Sequence, residues 1–265
     1  MPGAATTATL RRDRWMILAS LAGLVLLSWL YLWIDAQQMA SMSVPVGSME
    51  MGSAMAGEES GPWQPGSLLM TFLMWSVMMV GMMLPSAAPA ILLYGKLTRK
   101  KRRPPLPASW LFSGGYLVVW TLFSLGATLL QAALRSSGIL SPMMTSTSVV
   151  LSATLLIGAG LYQWLPLKNA CLRNCRSPLN LFMMHWRPGG LGALRMGAEH
   201  GFYCVGCCWA LMLLLFVAGV MNLLWVALIA GFVLLEKLLP RGPILGHLAG
   251  IGLLLWGLGL LVSAL

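Results

Sequence analysis

Long apolar stretches separated by short polar connections dominate the chain. A stretch of about 20 apolar residues is long enough to cross a bilayer as an α-helix. Seven such stretches can be delimited, at 15–34, 67–93, 109–134, 149–167, 202–220, 222–239 and 245–264. We therefore expect an all-α, polytopic transmembrane helical bundle of about seven spans, forming a single integral membrane domain over 1–265. Within it, 1–34 would hold the first span, 35–66 a Met-rich extracytoplasmic loop, and 67–265 a six-helix core.

Composition supports a membrane protein and gives no sign of a soluble domain. Hydrophobic residues make up 58% of the chain and charged residues only 9%, whereas soluble domains carry about 25% charged residues. The first apolar stretch follows a basic start, as in a signal peptide, but its core of about 20 residues exceeds the 7–15 usual for such peptides. We expect a retained first helix.

The basic residues behind the net charge of +10 are spread unevenly over the connections between the apolar stretches. If the N-terminus is cytoplasmic, every Lys and Arg except Arg135 falls on the cytoplasmic side, and 35–66 has none. This positive-inside pattern predicts a cytoplasmic N-terminus in a bacterial inner membrane. Lys168 and Lys237 are counted with that cytoplasmic set, and Glu236 beside Lys237 is interpreted as a boundary marker. The basic residues then anchor the topology and contact membrane lipid, so nucleic acid is not an expected partner.

One histidine and three cysteines recur at helical spacing in the fifth stretch. His200, Cys204, Cys207 and Cys208 would share an arc of about 100° on a helix, at the mouth of the apolar segment. Thiols and imidazole suit Cu(I) or Zn(II), and Glu199 could orient the imidazole. Two alternatives stay open: buried cysteines that only pack, and dithiol chemistry of the Cys204–Cys207 pair.

A second pair of thiols precedes this cluster. Cys171 and Cys175 would share a helix face at a spacing of four, and the neighbouring Arg173 and Arg176 would favour their thiolates. The pair is interpreted either as part of the first site, as a separate transfer site, or as an ordinary loop. All five cysteines of the chain lie between 171 and 208, which argues against a disulfide framework.

Methionines line the second stretch. Met74, Met78 and Met82 continue a stripe begun by Met70, with Met79 flanking it. Met83 flanks the same stripe, and the preceding loop adds Met39, Met42, Met49, Met51 and Met55. Thioethers are soft ligands that suit Cu(I), so the pattern is typical of an entry path for copper. The alternative is that methionine fills the core.

Two prolines interrupt the methionine-lined stretch. Pro85 and Pro89 would leave the carbonyls of Gly81 and Pro85 without helical donors. These carbonyls would need another partner, such as Ser86, water or an ion. A plain kink is the alternative interpretation.

The chain resembles a bacterial family of predicted metal-binding integral membrane proteins, long described as a domain of unknown function. The matching runs are 74–89, 162–178, 200–212, 219–222 and 236–237, within roughly 67–260. The resemblance implies a polytopic inner-membrane protein that binds metal, and some relatives are associated with copper delivery to tyrosinase-type enzymes. The site residues it implies are Cys171, Cys175, His200, Cys204, Cys207 and Cys208.

These patterns together predict a protein that handles a soft metal. We expect Cu(I) binding by a membrane copper chaperone or passive conduit, with 67–265 as the metal-binding core. Zinc is the alternative metal. The expected partners are a copper-dependent enzyme or a periplasmic metal-binding protein, with a second copy of the chain as a further candidate. An enzyme is not expected, although a membrane thiol-disulfide oxidoreductase using Cys204 and Cys207, or a structural or assembly subunit, would fit the same cysteines.

Overall fold

The computed structural model describes residues 3–42, 63–100, 105–138, 148–184, 186–220 and 222–263. All regular structure in these ranges is helical. The helices are α1 (Gly3–Met42), α2 (Pro65–Lys100), α3 (Pro105–Ser136), α4 (Val149–Tyr162), α5 (Pro166–Arg176), α6 (Pro178–Met184), α7 (Gly190–Leu213), α8 (Leu215–Ala218), α9 (Leu223–Leu238) and α10 (Gly242–Ser263). The expected all-α architecture is confirmed for this part of the chain.

Among the described residues, five helices are long and apolar enough to cross a membrane. The apolar stretch predicted at 149–167 is instead a bent pair, in which α4 and α5 meet at 65°. Counting this pair as one broken span gives six. The bend follows from Pro166, which begins α5 because its ring is compatible with the first turn of a helix but not with a continuing one. The expected count of seven spans is not established by these helices.

The stretch predicted at 222–239 forms α9, which has 16 residues. At 1.5 Å per residue it is about 24 Å long, less than the roughly 30 Å of a hydrocarbon core. Its C-terminal end is fixed by α5, since Arg176 Nη2 donates to the carbonyls of Leu239 at 2.6 Å and Pro240 at 3.0 Å. The short helix therefore ends beside α5.

The first helix extends further than expected. It continues to Met42, eight residues beyond the predicted end of the first span at 34. Most of the predicted Met-rich loop, including Met49, Met51 and Met55, lies outside the described residues. The predicted loop at 35–66 therefore begins with continuing helix.

The thiol-bearing helix begins earlier than predicted, and this changes the position of the cysteines. The apolar stretch was expected to start at 202, but α7 starts at Gly190. Cys204 is thus 14 residues from Gly190 and nine from Leu213, or about 21 Å and 14 Å along the axis. The cluster therefore lies within α7 rather than at its first turn, and its position at the mouth of the apolar segment stays a prediction.

Glycines allow α3 and α7 to approach backbone to backbone. A Cβ atom on Gly197 would lie 1.9 Å from the carbonyl oxygen of Phe112, and one on Gly115 would lie 1.9 Å from that of Leu194. No larger residue fits at either position without separating the helices. Small residues of this kind permit close helix packing in membranes, and here they bring Tyr116 of α3 against the cysteine face of α7.

The α2 helix remains helical through both of its prolines. The carbonyl that Pro85 cannot reach, that of Gly81, accepts a hydrogen bond from the Trp29 indole nitrogen of α1 at 3.3 Å. Ser86 does not take that role, because its Oγ donates to the Met83 carbonyl at 2.8 Å. The donor that the Gly81 carbonyl needs therefore comes from a neighbouring helix, and this hydrogen bond joins α1 to α2.

Removing the N-terminal cap of α9 should lower the stability of the protein. Asn222 Oδ1 accepts from the backbone nitrogen of Trp225 at 3.4 Å, so Asn222→Ala leaves an unpaired donor at the helix start. We expect a loss of about 1 kcal/mol in the free energy of unfolding, measured by chemical denaturation in detergent. Asn222→Asp, which keeps an accepting oxygen, should unfold like the wild type; equal losses in both variants would contradict the capping role.

Candidate metal centre

Side chains from α9, α3 and α2 gather around the sulfur of Cys204 on α7. Cys204 is 1% exposed and lies on α7, facing α9 and α3. The Lys237 Nζ atom of α9 donates to Cys204 Sγ at 2.9 Å, and the Tyr116 hydroxyl of α3 lies 3.0 Å from the same sulfur. Lys237 also donates to Ser86 Oγ of α2 at 3.0 Å. A thiol with a cation and a hydroxyl at hydrogen-bond distance is held in one position and favoured as a sulfur nucleophile or ligand.

The other two cysteines of α7 lie on the same buried side. Cys207 and Cys208 each donate to the Cys204 carbonyl at 3.0 Å, one turn back along the helix. The Cys208 sulfur also lies 4.0 Å from Met83 Sδ of α2. Both thiols are thus turned toward the helix backbone, and rotation about χ1 would release them toward the centre.

The bent helix α5 adds a fourth thiol. Cys175 is buried, and its side chain faces those of Cys204 and Cys207. Cys171 lies one turn earlier and is only half buried; its Sγ would be 2.7 Å from a Cβ atom on Gly206. The structure therefore brings Cys175 to the α7 cluster and places Cys171 against the outer side of the same helix.

His200 is buried between aromatic rings of α3. Its ring centroid lies 6.0 Å from that of Phe112 and 5.9 Å from that of Tyr116. Among the described residues its Nδ1 atom has no hydrogen-bond partner, which is costly for a buried polar atom. Its role as a metal ligand stays a prediction.

Glu199 does not contact the His200 ring through any hydrogen bond in the described part of the chain. Its carboxylate lies 3.6 Å from Arg187 and 3.6 Å from Arg195. The expectation that Glu199 orients the imidazole is therefore wrong. The reason is geometric, since consecutive helical residues point about 100° apart, so Glu199 lies on the outer side of α7.

The predicted methionine stripe is buried within α2. Met74, Met78 and Met82 are 1–3% exposed, whereas Met70 is 67% exposed and falls outside the core. The described sulfur contact to the cysteines comes from Met83, which the pattern identified only as a flanking residue. Met83, whose sulfur lies near a cysteine thiol, is therefore the residue that directly follows Met82 of the predicted stripe.

Two lysines that the charge pattern assigned to the cytoplasmic side are buried. Lys168 of α5 is 1% exposed and Lys237 is 7% exposed. Lys168 donates to Glu236 Oε1 of α9 and to Gln163 Oε1, while Lys237 faces the thiols. Burying two cations is expensive unless they are paired, so the interpretation of Glu236 and Lys237 as a boundary marker is wrong.

Sequence reasoning missed Tyr116, Ser86 and Lys237 as residues of the centre. A signal for Lys237 was available, because an ionisable residue in an apolar helix is costly and is by default a candidate for function. Tyr116 and Ser86 had no such signal, since each belongs to an apolar stretch that can be read as ordinary core.

The cysteines do not stand in a finished coordination shell. All five are free thiols, and within the described ranges no three His, Cys, Asp or Glu side chains are placed as the ligands of a metal ion. Zinc, which is usually held by four such ligands in a tetrahedron, gains no support. A soft ion such as Cu(I) can be held by only two or three sulfurs, and Cys208 Sγ already lies 4.0 Å from Met83 Sδ and one helical turn from Cys204.

Comparison with known proteins agrees with a copper-handling role. Residues 72–260 match the model of the PpoB2 family, which is described as a copper chaperone. No curated protein and no solved structure matches the chain. The matched region includes every residue of the centre described above and covers well over half of the chain. The resemblance inferred from the sequence runs is thus confirmed, and the chain belongs to the PpoB2 copper chaperone family.

Proposed function

We propose that the protein is a membrane copper chaperone that binds Cu(I) at the buried sulfurs around Cys204 and transfers it to a copper-dependent partner. The observation that carries the proposal is the Cys208–Met83 contact of 4.0 Å, made beside Cys204 on the buried side of α7. Two thiols and a thioether form a low-coordinate soft site, which suits Cu(I) and excludes hard cations such as Mg²⁺.

The surrounding residues support binding followed by release. Cys175 of α5 interacts with Cys204 and Cys207 and offers a thiol to which bound copper could move. Along α2, the buried Met74, Met78 and Met82 continue the thioether supply that ends at Met83. Exchange between thioethers and thiolates of graded affinity moves Cu(I) without an energy source, as a chaperone requires.

The partner is proposed from the same chemistry. A protein that holds Cu(I) by a few soft ligands can pass it to another site that offers thiol, thioether or imidazole ligands. A copper-dependent enzyme of the tyrosinase type, or a periplasmic metal-binding protein, provides such ligands. The bacterial inner membrane is the proposed location, because the apolar helices alternate with basic connections.

The proposal is tested by anaerobic Cu(I) titration of the purified protein in detergent against a competing chelator. We expect about one tightly bound Cu(I) per chain, and loss of that ion when Cys204, Cys207 and Cys208 are all replaced by serine. Zn(II) in a parallel titration should bind weakly in both forms. Equal Cu(I) binding by the wild type and the triple variant would overturn the proposal and leave the cysteines to packing or to dithiol exchange.

A further inference from the structure

A polar cavity of about 880 Å³ lies between α5 and the turn joining α9 to α10. Its polar lining comes from both sides of this cleft: Asn169, Arg173, Asn174, Arg176, Lys237 and His247. Of the described residues that line it, none is acidic. The cavity is therefore electropositive, and a concave site of one charge sign concentrates ligands of the opposite sign.

The cavity and the thiol cluster share one residue. Lys237 lines the cavity, and its ammonium group donates to Cys204 Sγ at 2.9 Å and to Ser86 Oγ at 3.0 Å. The adjacent carboxylate of Glu236 does not neutralise this group, because it pairs with Lys168. Lys237 thus stands between the polar cavity and the buried sulfur.

The same sulfur cannot serve the ammonium group and a metal ion without rearrangement. The Lys237 ammonium group at 2.9 Å and the Tyr116 hydroxyl at 3.0 Å already occupy the space beside Cys204 Sγ, so a Cu(I) ion bound there would have to displace one of them. Lysine has a flexible four-carbon stem, and the cavity offers it a polar space of its own. Movement of Lys237 into the cavity would open the sulfur.

We infer that this cavity is the entrance to the thiol cluster, that it admits Cu(I) as an anionic complex with small thiolates, and that Lys237 is the gate that the complex displaces. Cu⁺ held by two thiolates carries a net charge of −1, which suits the basic lining, whereas bare Cu⁺ would be repelled. In the exchange a copper–sulfur bond forms at Cys204 and one carrier copper–sulfur bond breaks. Copper stays Cu(I), and any proton on Cys204 passes to the released thiolate.

This inference rests on the proposed function for its meaning, but thiol labelling tests it without copper. A variant with Cys171, Cys175, Cys207 and Cys208 replaced by serine leaves Cys204 as the sole thiol. In detergent, its rate of modification is compared for two methanethiosulfonates of similar size, an anionic ethylsulfonate and a cationic trimethylammonium-ethyl reagent. We expect the anionic reagent to react at least about tenfold faster, and Arg173→Gln to reduce this preference.

The role of Lys237 as the gate and that of the cavity as the entrance are tested by further substitutions in the variant that keeps only Cys204. Lys237→Met removes the gate but also the cation that favours the Cys204 thiolate, so its labelling rate is expressed per thiolate, from the pH dependence of labelling. On that basis we expect the rate to rise by about tenfold or more with either reagent. Ala170→Trp, which fills the cavity from α5, should slow labelling by a similar factor. Leu167→Trp is the matched control, because Leu167 lies on the same helix, is 62% exposed and does not line the cavity; it should leave the rate unchanged.

Two results would overturn the inference. Equal rates for the two reagents would remove the anionic selectivity, and an unchanged rate in Ala170→Trp would place the route to Cys204 elsewhere. The second test keeps Lys237 in place, so it remains decisive even if Lys237→Met fails to fold. Because no copper is present, labelling that fails while Cu(I) titration succeeds would reject the entrance and leave the proposed function standing.

Discussion

Cys204→Ser alone should lower the affinity for Cu(I) by more than about a hundredfold. The expected loss exceeds the 10–100-fold typical of residues that only support a ligand, because Cys204 is the sulfur on which Lys237 and Tyr116 converge. A serine hydroxyl is a hard oxygen ligand and does not replace a thiolate for Cu(I). Anaerobic titration against a competing chelator, with the variant confirmed as folded by its helical circular dichroism, measures the effect.

Cys171→Ser is the matched control for this change. It makes the same chemical replacement on α5, but Cys171 is half exposed and packs against Gly206. We expect its Cu(I) affinity to stay within about threefold of the wild type. Cys175→Ser changes a buried thiol that faces Cys204 and Cys207, and its affinity should fall between those of the other two variants. Equal losses in Cys171→Ser and Cys204→Ser would mean that the cluster acts through the fold of α5 and α7.

The helical spacing of the cysteines is enough to predict which of them share one side of a helix, because this depends only on residues that are close in the sequence. His200, Cys204, Cys207 and Cys208 lie on one continuous helix, so a period of 3.6 residues is enough to place them on one side. The same reasoning joined Cys171 to Cys175. The sequence could not assign the two to different surroundings, since the bend between α4 and α5 decides which thiol faces α7.

The pattern of residue types along the chain does not predict which side chains meet between helices that are distant in the sequence. The sulfur partner of Cys208 is Met83 rather than Met82, and adjacent positions on α2 differ by only one step of helix rotation. Likewise, positive-inside reasoning counts each lysine as a loop charge and has no means to detect Lys168 paired with Glu236 on another helix.

Glu236→Gln should destabilise the protein by about 3–5 kcal/mol, because it leaves the buried Lys168 cation without its counter-ion. The side chains of both residues are only 1–2% exposed, and α10 packs directly on the pair: a Cβ atom on Gly246 would lie 2.3 Å from Glu236 Oε1. The loss is measured as the free energy of unfolding in detergent with increasing denaturant.

Glu199→Gln is the control for the same chemical change. Glu199 contacts Arg187 and Arg195 at 3.6 Å on a partly exposed surface, where ion pairs contribute about 0–1 kcal/mol. We expect its unfolding free energy to change by no more than that. A comparable loss in both variants would show that carboxylate removal itself, rather than burial of an unpaired lysine, is responsible.

Removing both charges should restore most of the stability that one removal takes away. In Lys168→Met combined with Glu236→Leu, apolar side chains of similar length fill the space and no unpaired ion remains, which is often neutral or stabilising. The Gln163 amide then loses the donor it had in Lys168, at a cost of about 1 kcal/mol. If the double variant regains stability and still binds Cu(I), the ion pair is structural and separate from the Lys237–Cys204 contact. If it regains stability but loses Cu(I), the pair also positions Lys237, its neighbour on α9.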